Sequence, residues 1–188
     1  MPKQVAKTRP GGRAARTRSA TFEAVEALIA EKGHADVSMT DVAERAGVAA
    51  TSLYRRWRDI GLLIREVATE QLMREHPLPD TGSMQGDLVQ WARAIAISLR
   101  RPGGSSFFRA LVATAGPAPA GVSASPLNRR AEQIEEMLER ARMRGEHAPP
   151  LQDVIDGLLA PLYMRSLFGQ PIDEASIDML VQRLMKSA

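Results

Sequence analysis

A chain of 188 residues with 44% hydrophobic side chains is long enough to bury a core, and charges interrupt every apolar run well short of the roughly 18–20 residues a bilayer span needs. The absence of cysteine excludes disulfides, thiolate metal sites and cysteine nucleophiles, and with aromatics at only 4% the interior has to be built from Leu, Ile, Val, Ala and Met. The formal charge of +3 is unevenly placed: residues 1–65 carry 12 Lys and Arg against 7 Asp and Glu, residues 66–188 carry 13 against 15, and residues 1–20 hold Lys3, Lys7, Arg9, Arg13, Arg16 and Arg18 without an acid.

A basic arm over residues 1–18, read as disordered, comes first. No apolar stretch follows it, so it does not read as a secretory leader, and a cytoplasmic location is expected. Helical periodicity then sets in over residues 16–32, where Phe22, Val25, Leu28 and Ile29 share a face and Gly33 stands at the C-terminal cap position. Ser38 with Asp41 three residues on predicts a capped second helix that Gly47 ends. A short third helix is predicted over 50–57, and a fourth over 60–74 with Asp59 as its cap. The segment 76–83, HPLPDTGS, is too rich in Pro and Gly to stay helical, which places a domain boundary at residues 76–77. Helices follow over 84–101, 106–115, 126–144 (Ser125 as cap, Pro126 in the first turn), 150–168 with a kink at Pro161, and from Asp173 to about 186; a loop is expected over 116–124. The predicted fold is all-α, with about nine helices.

The most informative stretch is SMTDVAERAGVAATSLYRRW, residues 38–57. Val42, Ala43 and Ala46 give one short helix a narrow apolar stripe, Gly47 supplies the left-handed residue of a tight turn, and Val48 fills the angle between two helices. Leu53 and Trp57, four apart, anchor the next helix. Its other face presents Ala50, Thr51, Ser52, Tyr54, Arg55 and Arg56, with Arg58 just beyond. Small and hydroxylic residues let a helix enter a major groove closely, and Tyr and Arg reach phosphates or guanine edges.

In order along the chain, Ala43-x-x-Ala46-Gly47-Val48, then Leu53-Tyr54, then Trp57, then the Leu-rich stretch at Leu62 and Leu63 resemble the DNA-binding region of the TetR family, over about a third of the chain. The resemblance implies an N-terminal helix-turn-helix domain over residues 19–76, joined through its fourth helix to an effector-binding and dimerisation domain over 77–188. It also implies a homodimer on double-stranded, palindromic operator DNA, with repression relieved by a small molecule. The DNA contacts so implied are Ser38, Thr40, Ala50, Thr51, Ser52, Tyr54, Arg55, Arg56 and Arg58, with Tyr54 holding a phosphate. Two departures stand out. Ala49 occupies the cap of the third helix where the family often has Ser, and Ile60 stands where a phosphate-contacting Lys is common; Arg56, Arg58 or the basic arm could supply that contact instead.

In the C-terminal part, Leu158, Leu159, Leu162, Tyr163, Leu167, Ile177, Leu180, Val181 and Leu184 form broad apolar stripes that would suit one monomeric core; the resemblance implies instead a four-helix dimer interface between these helices and their symmetry mates. Trp91, Ile95, Leu99, Phe107, Phe108, Leu111 and Met137 are apolar residues that would serve as plain core; the resemblance implies that their helices enclose an effector pocket, and the shortage of convergent charge there points to an apolar or amphipathic effector. Glu132, Glu135, Glu136 and Glu139, interleaved with Arg129, Arg130, Arg140, Arg142 and Arg144, read as a solvated ion-pair face rather than as paired catalytic carboxylates. His34, His76 and His147 are too scattered for a metal site, so no metal, cofactor or catalytic activity is expected. The reading from a different class is a helical small-molecule-binding protein or enzyme with no DNA role.

Overall fold

The computed structural model of the protein describes residues 11–101, 103–115 and 126–187; residues 1–10, most of the basic arm, the 116–124 loop and the predicted Ser125 cap lie outside these. Among the described residues there are nine α-helices and no strand, in agreement with the all-α prediction: α1 (Gly11–Lys32), α2 (Met39–Ala46), α3 (Ala50–Trp57), α4 (Ile60–Glu75), α5 (Met84–Arg100), α6 (Ser106–Ala113), α7 (Pro126–Met143), α8 (151–167) and α9 (Glu174–Ser187). None is long and apolar enough to cross a membrane. By contacts the chain divides into residues 1–67 and 68–188, so the division falls within α4 rather than in the Pro- and Gly-rich segment after it.

In the first unit α1 begins at Gly11, so residues 11–18 are helical instead of forming part of a disordered arm. Contacts explain the difference. The Arg18 guanidinium lies 4.1 Å from the centre of the Phe22 ring and pairs with Glu66 at 3.0 Å, which fixes the turn in which it sits. Phe22, Val25, Leu28 and Ile29 form the buried stripe of α1, closed over by Val37, Met39, Val42, Leu53, Trp57 and Leu63. The capping box on α2 forms as predicted: the Asp41 amide donates to Ser38 Oγ at 3.2 Å, and the Ser38 amide donates to Asp41 Oδ2 at 2.9 Å.

In the second unit α5 is the central element. Met84, Leu88, Trp91, Ala92, Ile95, Ala96 and Leu99 recur three or four residues apart on it and are all buried. Ile134, Met137, Leu138 and Ala141 of α7, Val154, Leu158 and Leu162 of α8, and Ile177, Leu180, Val181 and Leu184 of α9 belong to the same core. The end of α7 is tied to the start of α5 by Glu146, which accepts from the Met84 amide at 2.7 Å while holding Arg144 at 2.5 Å. Gly104 packs so tightly on the end of α5 that a Cβ there would lie 1.9 Å from the Ser98 carbonyl oxygen. Helix α8 does not simply bend at Pro161. Residues Ile155–Leu159 form a π turn, in which the Ala160 amide donates to the Ile155 carbonyl. The wider turn ends two residues before the proline and takes in Gly157, the residue four before it, where its ring and missing N–H disturb an α-helix most.

Candidate nucleic-acid interface and effector cavity

Helices α2 and α3 are joined by Gly47, with φ 64° and ψ 36°, and by the Val48 amide donating to the Ala43 carbonyl at 3.0 Å. Leu53 and Trp57 are 1% and 5% exposed, which fixes the inward face of α3. The opposite face carries the polar residues. Thr51, Tyr54, Arg55, Arg56 and Arg58 are exposed, Tyr54 by 51%, whereas Ala50 and Ser52 are half-buried. Thr40 is exposed on the first turn of α2, and Ser38 is exposed with its hydroxyl already engaged with Asp41. An open recess beside α3 is bordered by Ala14, Thr17, Arg18, Ser52, Arg55 and Arg56, so three guanidinium groups gather where α1 approaches α3. The cap of α3, Ala49, makes no side-chain bond to the helix, as its sequence foretold.

The position of α3 is set from behind. Trp57 Nε1 donates to Glu66 Oε2 at 2.7 Å, and Arg18 Nη2 donates to the other oxygen of the same carboxylate at 3.0 Å, so Glu66 of α4 holds both α1 and α3. Arg56 stacks over the Trp57 ring at 4.8 Å, which leaves its edge directed along the surface. Arg45 grips Glu31 with both nitrogens, at 2.5 and 2.7 Å, and Lys32 bonds Asp41 at 2.8 Å; together these brace α2 on α1. Lys32 and the Ser38 hydroxyl and amide hold the Asp41 carboxyl at about 2. Immediately after α3, Arg58 has φ 60° and ψ −49°, and the Asp59 amide donates to the Trp57 carbonyl at 2.6 Å. This is a γ-turn of the rare positive-φ kind, closed by Asp59, whose Oδ1 caps α4 through the Leu62 amide at 2.9 Å.

The second unit holds a cavity of about 260 Å3, walled by the C-terminal half of α4 with α6, α7 and α8. Of the expected pocket residues, Phe108 and Leu111 line it. Trp91, Ile95 and Met137 are wholly buried core instead, Leu99 is nearly so, and Phe107 is half-buried away from the cavity walls. Leu159 and Tyr163, assigned from sequence to a dimer face, also line the cavity, and Tyr163 stacks on Phe108 at 4.3 Å between centroids. Leu158, Leu162, Ile177, Leu180, Val181 and Leu184 lie in the subunit's own core and Leu167 is half-buried. The apolar residues exposed on and next to these helices are Met164, Phe168 and Met179, at 47%, 71% and 37%.

Sequence reasoning missed Arg130. Arg142 does pair with Glu135 and Glu139, at 2.9 and 3.0 Å, on a solvated face. Arg130, however, precedes Ile134 by four residues and so continues the buried stripe of α7 into the cavity wall. That spacing was the available signal. Among the described residues no cluster of His, Asp or Glu could hold a metal ion.

Two short helices set at a left-handed glycine, with the second turning a polar, arginine-rich face outward, define a helix-turn-helix DNA-binding protein. A sequence model described as "Bacterial regulatory proteins, tetR family" matches residues 22–67, and one described as "Tetracyclin repressor-like, C-terminal domain" matches residues 78–184. The chain belongs to the TetR family of transcriptional regulators, a family of DNA-binding proteins and not of enzymes. It is 36% identical to the HTH-type transcriptional regulator AqdR of Rhodococcus erythropolis over 71% of this chain and 65% of that one. It is 27% identical to the uncharacterized HTH-type regulator YdeS of Bacillus subtilis over 90% and 88% of the two chains. Among solved structures it is similar to the TetR family regulator SCO0332, with a TM-score of 0.73 at 26% identity over 92% of this chain and 98% of that one. A TetR regulator from Rhodococcus sp. RHA1 shares the fold, with a TM-score of 0.65 at 22% identity over 94% and 97%.

Proposed function

We propose that this chain is a homodimeric repressor that binds a palindromic operator through α3 and releases it when a small molecule enters the cavity of the second unit. Residues 19–76 read DNA; residues 77–188 dimerise and, with Thr69, Leu72 and Met73 at the end of α4, take up the effector. The observation that carries the reading is the division of α3: Leu53 and Trp57 are spent on the core, while Thr51, Tyr54 and Arg55 have no packing role and stand in solvent. Tyr54 and Arg58 take phosphates, and Thr51, Ser52 and Arg55 reach base edges or backbone. Arg56 and Arg58 stand in for the cation that Ile60 does not provide.

Helix α4 supplies a route for regulation. Its Thr69, Leu72 and Met73 line the cavity, and one to two turns earlier its Glu66 bonds Trp57 of α3. A ligand that displaces α4 therefore acts on the seat of the recognition helix, and with it on the match to major grooves about 34–36 Å apart. Met164, Phe168 and Met179 form the apolar surface through which two subunits pair. A gel shift against DNA upstream of the protein's own coding region tests the reading. The double variant Tyr54→Phe, Arg55→Ala should keep its helical content and lose about ten- to a hundredfold in affinity. Unaltered affinity would remove α3 from the interface, and no binding by either protein would favour a small-molecule-binding module without a DNA role.

A further inference from the structure

The cavity walls are mostly apolar, and among the described residues that line them Arg130 alone carries a charge. Arg130 donates from Nη2 to the His76 carbonyl at 2.9 Å and from Nη1 to Gln133 at 3.1 Å, and its guanidinium lies 4.9 Å from the centre of the Trp91 ring. A guanidinium has five N–H donors, so these two bonds leave part of the fork unspent on a residue that lines the cavity. Among the described residues no carboxylate pairs with Arg130, although α7 is rich in Glu. A charge lodged in an apolar wall without a counter-ion is costly, and burial lowers the Arg130 pKa accordingly.

Across the same space stands Tyr163. Its hydroxyl makes no hydrogen bond among the described residues, and burial pushes its pKa up to about 12, so it is a neutral donor at physiological pH. Thr69, Leu72, Phe108, Leu111, Ile155 and Leu159 supply much of the remaining wall. The site thus offers two donors, one of them cationic, set in a greasy chamber. At about 30 Å3 per water-sized group, its volume of about 260 Å3 holds roughly nine heavy atoms.

We infer that the cavity takes an apolar monocarboxylic acid of about that size, its carboxylate held by Arg130 and Tyr163 and its body against Phe108, Leu111 and Leu159. The inference rests on the reading of this cavity as the effector site. The acid supplies the missing counter-ion, an alcohol of the same length supplies only an acceptor, and an ammonium is repelled by Arg130.

Calorimetric titration of the full chain with octanoate, 1-octanol and octylammonium, without DNA, tests this. Octanoate should bind about ten- to a hundredfold more tightly than octanol, and octylammonium not measurably. Arg130→Gln should erase the preference for the acid while octanol still binds; Tyr163→Phe, which keeps the ring stack, should weaken octanoate severalfold. Equal binding of acid and alcohol by the unmodified protein, no binding of either, or a preference that survives Arg130→Gln would overturn the assignment, and the first two need no variant to fold. Absence of an acid preference in an unmodified protein that still binds its operator would overturn the ligand class alone. Octanoate binding by a protein with no affinity for DNA would instead overturn the regulator reading.

Discussion

The His76 ring is wholly buried, and neither of its nitrogens finds a partner among the described residues, while its carbonyl accepts from both Trp91 and Arg130. Burial lowers its pKa below the ordinary 6.5, with Glu75 opposing and Arg130 adding to the shift. The folded protein therefore prefers the neutral ring. Its stability is fully present above about 6.5 and is lost as pH falls from there through the lowered folded value, because the unfolded chain takes up the proton first. Urea unfolding at pH 8 and pH 5.5 should show a larger loss for the natural protein than for His76→Leu. Since an unsatisfied buried group costs about 1–3 kcal/mol, that variant should also be no less stable at pH 8; a variant with a lower midpoint there would mean that the ring has a partner. Arg58 makes a second case. Its positive φ of 60° is strain that Gly lacks, so Arg58→Gly should raise stability by about 1 kcal/mol in urea titration while weakening operator binding through the lost cation. Unchanged DNA affinity would show that Arg58 touches no phosphate.

At the scale of elements, α8 presents three faces. Val154, Leu158 and Leu162 point into the core, Ile155, Leu159 and Tyr163 border the cavity, Met164 lies at the cavity and is also 47% exposed, and Phe168 just beyond the helix end is exposed. All these side chains are apolar or aromatic, so periodicity could announce the helix without saying which stripe meets core, ligand or partner. That is why the sequence-based dimer residues fell largely on the core. The N-terminal elements were far more legible. The Ser38–Asp41 box, Gly47, the Leu53–Trp57 pair and Asp59 each act through a local backbone or i,i+4 relation, and the structure places α2 and α3 where those relations put them. Legibility failed where long-range partners decide. Residues 11–18 are helical with Arg18 bound to Glu66, 48 residues away, and Arg130 was hidden among exposed arginines although it shares a stripe with Ile134 and Met137. The faces of α8 can be told apart by substitution. Leu162→Ala should cost about 2–5 kcal/mol of stability, whereas Phe168→Asp with Met179→Asp should leave unfolding nearly unchanged and shift sedimentation to a monomer. A dimer that survives the double charge would place the interface elsewhere.

For the whole molecule, a recognition helix of eight residues offers too few contacts for a single copy to specify a site, and two-fold pairing doubles them while fixing their spacing. In the proposed repressor the exposed side chains of α3 and the clamp of Glu66 on Trp57 serve DNA reading, and the exposed methionines and Phe168 of the second unit serve pairing. The central claim is that the polar face of α3 reads duplex DNA as one half of a symmetric pair. Selection of bound fragments from a random DNA library by the full chain measures this most directly. The expected product is an inverted repeat whose half-sites lie about one helical turn, or a multiple of it, apart. A pool that gains no common sequence after repeated rounds, or that converges on an unrepeated one, would contradict the claim.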